Sequence, residues 1–91
     1  MTNIGIIGAG MIANIHAEAA NRIGSNIDAV HDPRNDRAGA FGDKYGCEVE
    51  DSVESLVSRD DIDGVVIAVP NDRHSELAIA ALNAGKHVLL E

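Results

Sequence analysis

The stretch Ile4-Gly5-Ile6-Ile7-Gly8-Ala9-Gly10-Met11-Ile12-Ala13 decides the fold. The apolar run from Asn3 to Ile7 reads as a strand that ends at Gly8. From Met11 to Ile23, the residues Met11, Ile12, Ile15, Ala19 and Ile23 fall near helical spacing, and Gly24 marks the stop. Glycines recur in turns of every kind, so G-x-G-x-x-A alone says little. A glycine turn that follows a strand, opens a helix and starts a strand-helix-strand unit is a more demanding pattern. Gly8 permits the tight turn, and Gly10 leaves the backbone bare for a pyrophosphate. Ala13 stands in for the third glycine and keeps helix and strand close. The helix beginning near Met11 and Ile12 offers unpaired N–H groups and a partial positive charge to an anion.

The second signal is Asp32, which lies 19 residues beyond Ala13, close to the roughly 20 of a dinucleotide fingerprint. It ends a strand read over Ile27 to His31, and Pro33 closes that strand. A carboxylate there accepts a hydrogen bond from an adenosine ribose 2′-OH and repels a 2′-phosphate, which favours NAD. Arg34 and Arg37 follow closely and suit a 2′-phosphate instead, so NADP is the alternative. Asp32 also has an ordinary reading as a turn residue before Pro33.

The rest alternates in the same way. Arg34 to Tyr45 reads as a helix with Ala38, Phe41 and Tyr45 on one face and Gly46 as its stop. Glu48 to Glu50 is a weak strand. Asp51 or Ser52 caps a short helix over Val53 to Val57, with Glu54 in its first turn. Asp60 to Asp63 is an acidic turn. Gly64 to Val69 is a fully apolar strand, and Arg73 to Ala84 is a helix whose stripe is Leu77, Ala78, Ala81 and Leu82. Gly85 ends that helix, and His87 to Leu90 is a fifth strand. This predicts an α/β, Rossmann-type doubly wound parallel sheet of about five strands in the order 3-2-1-4-5, truncated after strand 5. No internal repeat or linker interrupts residues 1–91, which read as one dinucleotide-binding domain.

Composition narrows the function. With 91 residues, stability is modest. Apolar residues make up 45% and aromatic residues 2%, so aliphatic side chains build the core. The net charge of −8, from 7 basic and 15 acidic residues, argues against nucleic acid and anionic membranes as partners. Nothing resembles a membrane span or a cleaved leader. A single cysteine, Cys47, reads as a small core hydrophobe and allows no internal disulfide. A cytoplasmic location is the expectation. His16, His31, His74 and His87 are scattered over separate elements, so no metal site is expected. His16 reads as a packed helix residue. Lys86 reads as a solvated charge at a helix end. No Ser-His-Asp or Cys-His arrangement is supported, and no catalytic residue is assigned within the chain.

From Asn3 to Glu91 the sequence resembles the cofactor domain of the glucose-fructose oxidoreductase, inositol dehydrogenase and rhizopine-catabolism oxidoreductase family (Gfo/Idh/MocA). The likeness rests on Ile4 to Ile12 with His16, on Asp32, on Arg37-Ala38 through Phe41, and on Tyr45-Gly46. Its most specific parts are Val69-Pro70-Asn71-Asp72-Arg73-His74 and Ala80 through Glu91. The resemblance implies an oxidoreductase that moves a hydride between a secondary alcohol and a nicotinamide, acting on a small sugar-like or polyol substrate. It places Val69, Pro70 and Asn71 near the ribose and nicotinamide and makes Glu91 part of the site lining. An alternative reading has Pro70 simply ending its strand and Asn71 capping the next helix, and both roles can coexist. His74 is read either as approaching the cofactor or as a helix-start residue, the structural role being favoured. In the family a Lys-Pro pair follows the position of Glu91, and its lysine sits beside the nicotinamide. A second, mostly antiparallel domain then holds the substrate. The 91 residues carry neither, so nucleotide binding with little or no turnover is the expectation. A non-enzymatic NAD(P)-binding or structural module of the same fold is the alternative. A methyltransferase using S-adenosylmethionine is a third reading, disfavoured by the segment from Pro70 to Glu91. The fifth strand would leave an open apolar edge, so self-association is expected.

Overall fold

The computed structural model describes residues 2–69 and 74–90. Its elements are β1 (Asn3–Ile7), α1 (Met11–Arg22), β2 (Asn26–His31), α2 (Asn35–Tyr45), β3 (Glu48–Val49), α3 (Val53–Val57), β4 (Gly64–Ile67), α4 (His74–Asn83) and β5 (His87–Leu90). The five strands form one parallel sheet in the order β3-β2-β1-β4-β5. This is the expected topology, with β4 two residues shorter than the apolar run that announces it.

Strand alternation divides the core into two layers. Ile6, Val30 and Val66 face one way and pack with Ala13, Ala17 and Phe41 of α1 and α2. Ile7, Ala29, Val65 and Ile67 face the other way and pack with Leu56 of α3 and Leu77 of α4. The sheet is thus covered on both sides, as parallel sheets require.

The residues whose spacing marks α1 are not the ones that face the sheet. Met11 is 79% exposed, Ile15 58% and Ile23 80%. The buried positions are Ala13, Ala17 and Ala20. Small side chains let the helix axis lie close to the sheet, over β2 and β4. A similar correction applies to α4, where Leu77 and Ala81 are buried but Leu82 is 59% exposed. At α3 the cap is Ser52, whose hydroxyl accepts from the Ser55 N–H (3.0 Å) while the Ser55 hydroxyl accepts from the Ser52 N–H (3.3 Å).

Cys47 is half-buried, and burial pushes its thiol above the usual range, as befits a packing residue. Lys86 is not a solvated charge. Its Nζ donates to the carbonyls of Arg59 (2.6 Å) and Ile62 (2.7 Å), tying the start of β5 to the loop before β4. Arg59 itself gathers the carboxylates of Glu48 (3.0 Å), Glu50 (3.0 Å) and Asp61 (2.7 Å) around a largely covered guanidinium. Part of the acidity is therefore an ion-pair cluster that pins the edge strand β3. Arg59 holds the Asp61 carboxyl below the ordinary range, chiefly by hydrogen bonding. Burial, and then Asp61, push the Asp28 carboxyl upward.

Arg59→Met should lower stability at pH 7 by about 1–2 kcal/mol, because three carboxylates lose their shared cation. A carboxyl whose folded pKa is depressed contributes stability above its unfolded pKa and loses it as pH falls through the folded value. The gap between the two chains in thermal unfolding should accordingly close as pH is lowered through the carboxylate range. A gap unchanged at low pH would assign the loss to packing instead.

Candidate dinucleotide-binding site

The glycine turn leaves the sheet at the C-terminal end of β1, beside the ends of β2 and β4. This is where the strand order reverses, and open α/β sheets bind ligands at such a point. Gly8 has φ +104°, and a side chain there would meet the carbonyl of Ala68. Its N–H donates to the His31 carbonyl (2.7 Å), which holds the turn against β2. Gly10 is the N-cap of α1, and no side chain caps that helix. The first N–H groups of a helix have no intrahelical partner. Gly10 also has no side chain to block them. A Cβ at Gly10 would meet the Arg37 guanidinium, which lies directly over this glycine.

Asp32 is 6% exposed. Its Oδ2 accepts from the Ala9 N–H (2.8 Å), and its Oδ1 accepts from the Arg34 N–H (2.8 Å). The carboxylate therefore does two structural jobs. It clamps the middle of the glycine turn to the end of β2, and it orders the turn into α2. Each oxygen keeps a further acceptor site for a ligand hydroxyl.

Gly8, Asp32, Pro33, Arg34, Arg37, Ala68 and Val69 line one cavity of about 160 Å³. Five of the anticipated residues, Gly8, Asp32, Pro33, Arg34 and Val69, are thus brought together, and Gly10 lies against Arg37 of the same lining. Met11 and Ile12 stand exposed at the start of α1. His74 opens α4, and its Nε2–H donates to the Val69 carbonyl (2.7 Å), the helix-start role favoured in the sequence reading. Pro70, Asn71 and Glu91 lie outside the described residues.

A larger cavity of about 350 Å³ lies on the α3/α4 side, lined by residues that include His31, Ser52, Glu76 and Leu77. The His31 Nδ1–H donates to the Glu50 carbonyl (2.9 Å), which leaves Nε2 as an acceptor in the neutral ring. His31 precedes Asp32 in the chain, so both cavities border the C-terminal end of β2.

The reading from residues missed the polar contacts that hold the turn from the helix side. Asn14 Nδ2 donates to the Gly10 carbonyl (2.9 Å), and its Oδ1 accepts from Tyr45 Oη (3.0 Å) and Lys44 Nζ (3.2 Å). The spacing of four between Gly10 and Asn14 was the only available signal. Among the described residues no cluster of His, Cys, Asp or Glu is arranged to hold a metal, and no helix is long and apolar enough to cross a membrane.

The sheet order, the bare glycine turn at the reversal point and the acidic residue at the end of β2 define a Rossmann domain of the dinucleotide-binding type. Residues 2–91 match the oxidoreductase family with an NAD-binding Rossmann fold, GFO_IDH_MocA, and the chain belongs to that family. It is 40% identical over 91 residues to inositol 2-dehydrogenase from Salmonella typhimurium, covering 96% of this chain and 27% of that protein. Biliverdin reductase from Synechocystis, solved with biliverdin and NADP+, superimposes with a TM-score of 0.92 at 33% identity over 98% of this chain and 28% of that one. Apo scyllo-inositol dehydrogenase from Lactobacillus casei gives 0.88 at 33% identity, over 99% and 29%. The chain spans about a quarter of the length of these relatives.

Asp32→Asn should destabilise the chain even without nucleotide. The amide keeps one acceptor and sets an NH2 group against either the Ala9 or the Arg34 N–H. The expected loss is about 1–3 kcal/mol, which in a domain this small lowers Tm by at least about 4 °C. An unchanged Tm in differential scanning calorimetry would mean the clamp contributes nothing to folding.

Proposed function

We propose that the chain is the cofactor-binding part of a sugar or polyol dehydrogenase and that it binds NAD in preference to NADP. The observation that carries this reading is the Ala9–Asp32 bond, which makes the glycine turn and the carboxylate one rigid unit. The pyrophosphate would lie against Gly8, Gly10 and the N–H groups of Met11 and Ile12. The adenosine ribose would enter the cavity beside Asp32, Pro33 and Val69. The adenine would reach toward His31, whose ring nitrogen and carboxylate neighbours suit an amino donor. When bound, the nicotinamide supplies the hydride chemistry; the residues of this chain bind and orient.

NADP is a second reading with a specific observation behind it. Arg34 and Arg37 share the ribose cavity with Asp32, and both guanidinium groups suit a 2′-phosphate. NAD remains preferred, because the Asp32 carboxylate would repel that phosphate at contact distance.

Inositol and sugar dehydrogenases among the relatives favour a polyol or sugar substrate for the whole protein. Within these 91 residues no side chain is assigned to proton transfer, so binding without turnover is expected of this chain alone. The net charge of −8 argues against a nucleic-acid partner, and the lone cysteine fits a cytoplasmic setting.

Calorimetric titration with NAD and with NADP should show tighter binding of NAD. Gly10→Val should abolish both by filling the pyrophosphate approach, with the fold intact by circular dichroism. Arg37→Ala should weaken NADP more than NAD. Tighter binding of NADP, lost in Arg37→Ala, would select the second reading. A folded chain that binds neither would sink the proposal.

Self-association is proposed on separate grounds. Among the described residues strand β5 pairs only with β4 and stands at the sheet edge, with Leu89 half exposed beside an apolar groove that also includes Ile4 and Val66. Sedimentation velocity should show a concentration-dependent dimer, weakened by Leu89→Lys. A monomer at every concentration would rule this out.

A further inference from the structure

The Gly10 carbonyl accepts two hydrogen bonds, from the backbone N–H of Asn14 (3.1 Å) and from its side-chain Nδ2 (2.9 Å). The first is the ordinary opening bond of α1. The second is an addition that helix geometry does not require. Its direction is fixed from outside the helix. Tyr45 Oη and Lys44 Nζ, both at the C-terminal end of α2, donate to Asn14 Oδ1 at 3.0 and 3.2 Å. Two donors on one side of the amide leave its NH2 group facing Gly10. Tyr45 is itself held, its ring 4.6 Å from that of the buried Phe41.

The Gly10 carbonyl and the Met11 N–H are the two ends of one peptide group. Drawing on the carbonyl twice polarises that peptide and strengthens the N–H as a donor. It also fixes the peptide plane, and so the direction in which the N–H points. Met11 is the first residue of α1, where helix geometry provides no partner for the N–H. We infer that Asn14 is a positioning residue for the pyrophosphate: held by Tyr45 and Lys44, it aims and strengthens the Met11 N–H. This rests on the dinucleotide reading above and adds a residue that acts through the Gly10–Met11 peptide. It makes the end of α2 part of the support for the glycine turn.

The test uses Asn14→Leu, which keeps the branched shape and removes the amide. ADP-ribose carries the pyrophosphate and adenosine does not. Asn14→Leu should weaken ADP-ribose about three- to tenfold, the net scale of one ordinary intramolecular hydrogen bond, and leave adenosine unchanged. In the nucleotide-free protein, the Met11 amide proton should move upfield in the NMR spectrum. Tyr45→Phe, which removes only a hydroxyl, should shift both readouts in the same direction by less, and it serves if Asn14→Leu fails to fold. Equal losses for ADP-ribose and adenosine, or no loss of either, would overturn the inference. If the unmodified chain binds neither ligand, the dinucleotide reading is what has failed. The Met11 amide shift needs no ligand and still decides for or against the hold of Asn14 on that peptide.

Discussion

The hydrogen bond from the Ala9 N–H to the buried Asp32 carboxylate is the contact on which the site depends. It joins residues just beyond the ends of consecutive strands, and it exists only because β1 and β2 lie side by side and in parallel. The Gly8 N–H bonded to the His31 carbonyl continues that pairing one step beyond the strand. Sheet formation therefore assembles the turn. An anion-binding loop held this way needs no basic side chain of its own, and an acidic domain can still present a concentrated set of donors.

Around this contact, the two ends of the sheet are secured by different chemistry. At the end where β3, β4 and β5 begin, Arg59 collects carboxylates and Lys86 binds carbonyls. At the other end, backbone N–H groups bind Asp32, and Asn14 binds Gly10. The first set uses full charges between partners close to water, where each pair is worth little and the cluster matters. The second uses neutral donors in a more covered setting, where a lost partner is costly.

Topology was legible because each strand and helix has its own punctuation. Gly8, Gly24, Gly46 and Gly85 fall at the breaks with positive φ, and Asp32 stands at the fingerprint distance from Ala13. The orientation of α1 was not legible. Periodicity weighs large apolar residues most heavily, and here the buried stripe is alanine. Closeness of approach selects for smallness, which a pattern of hydrophobicity does not register. The roles of Lys86, Arg59 and Asn14 were hidden for another reason. Their partners are set by tertiary contact, and a polar residue reads the same in sequence whether it meets water or a carbonyl across the sheet. The fingerprint distance reads Asp32 as a ligand acceptor, while its structural duty appears only when Ala9 and Arg34 are seen beside it.

The double engagement of Asp32 also bears on how such a domain evolves. A lineage drifting from one dinucleotide to the other would ordinarily replace this carboxylate first. Here that step removes the clasp of the glycine turn as well as the carboxylate itself. The order of substitutions is therefore constrained. Reinforcement elsewhere in the turn must be in place before the acidic residue is released, and a descendant that changed cofactor should carry the trace of that earlier repair.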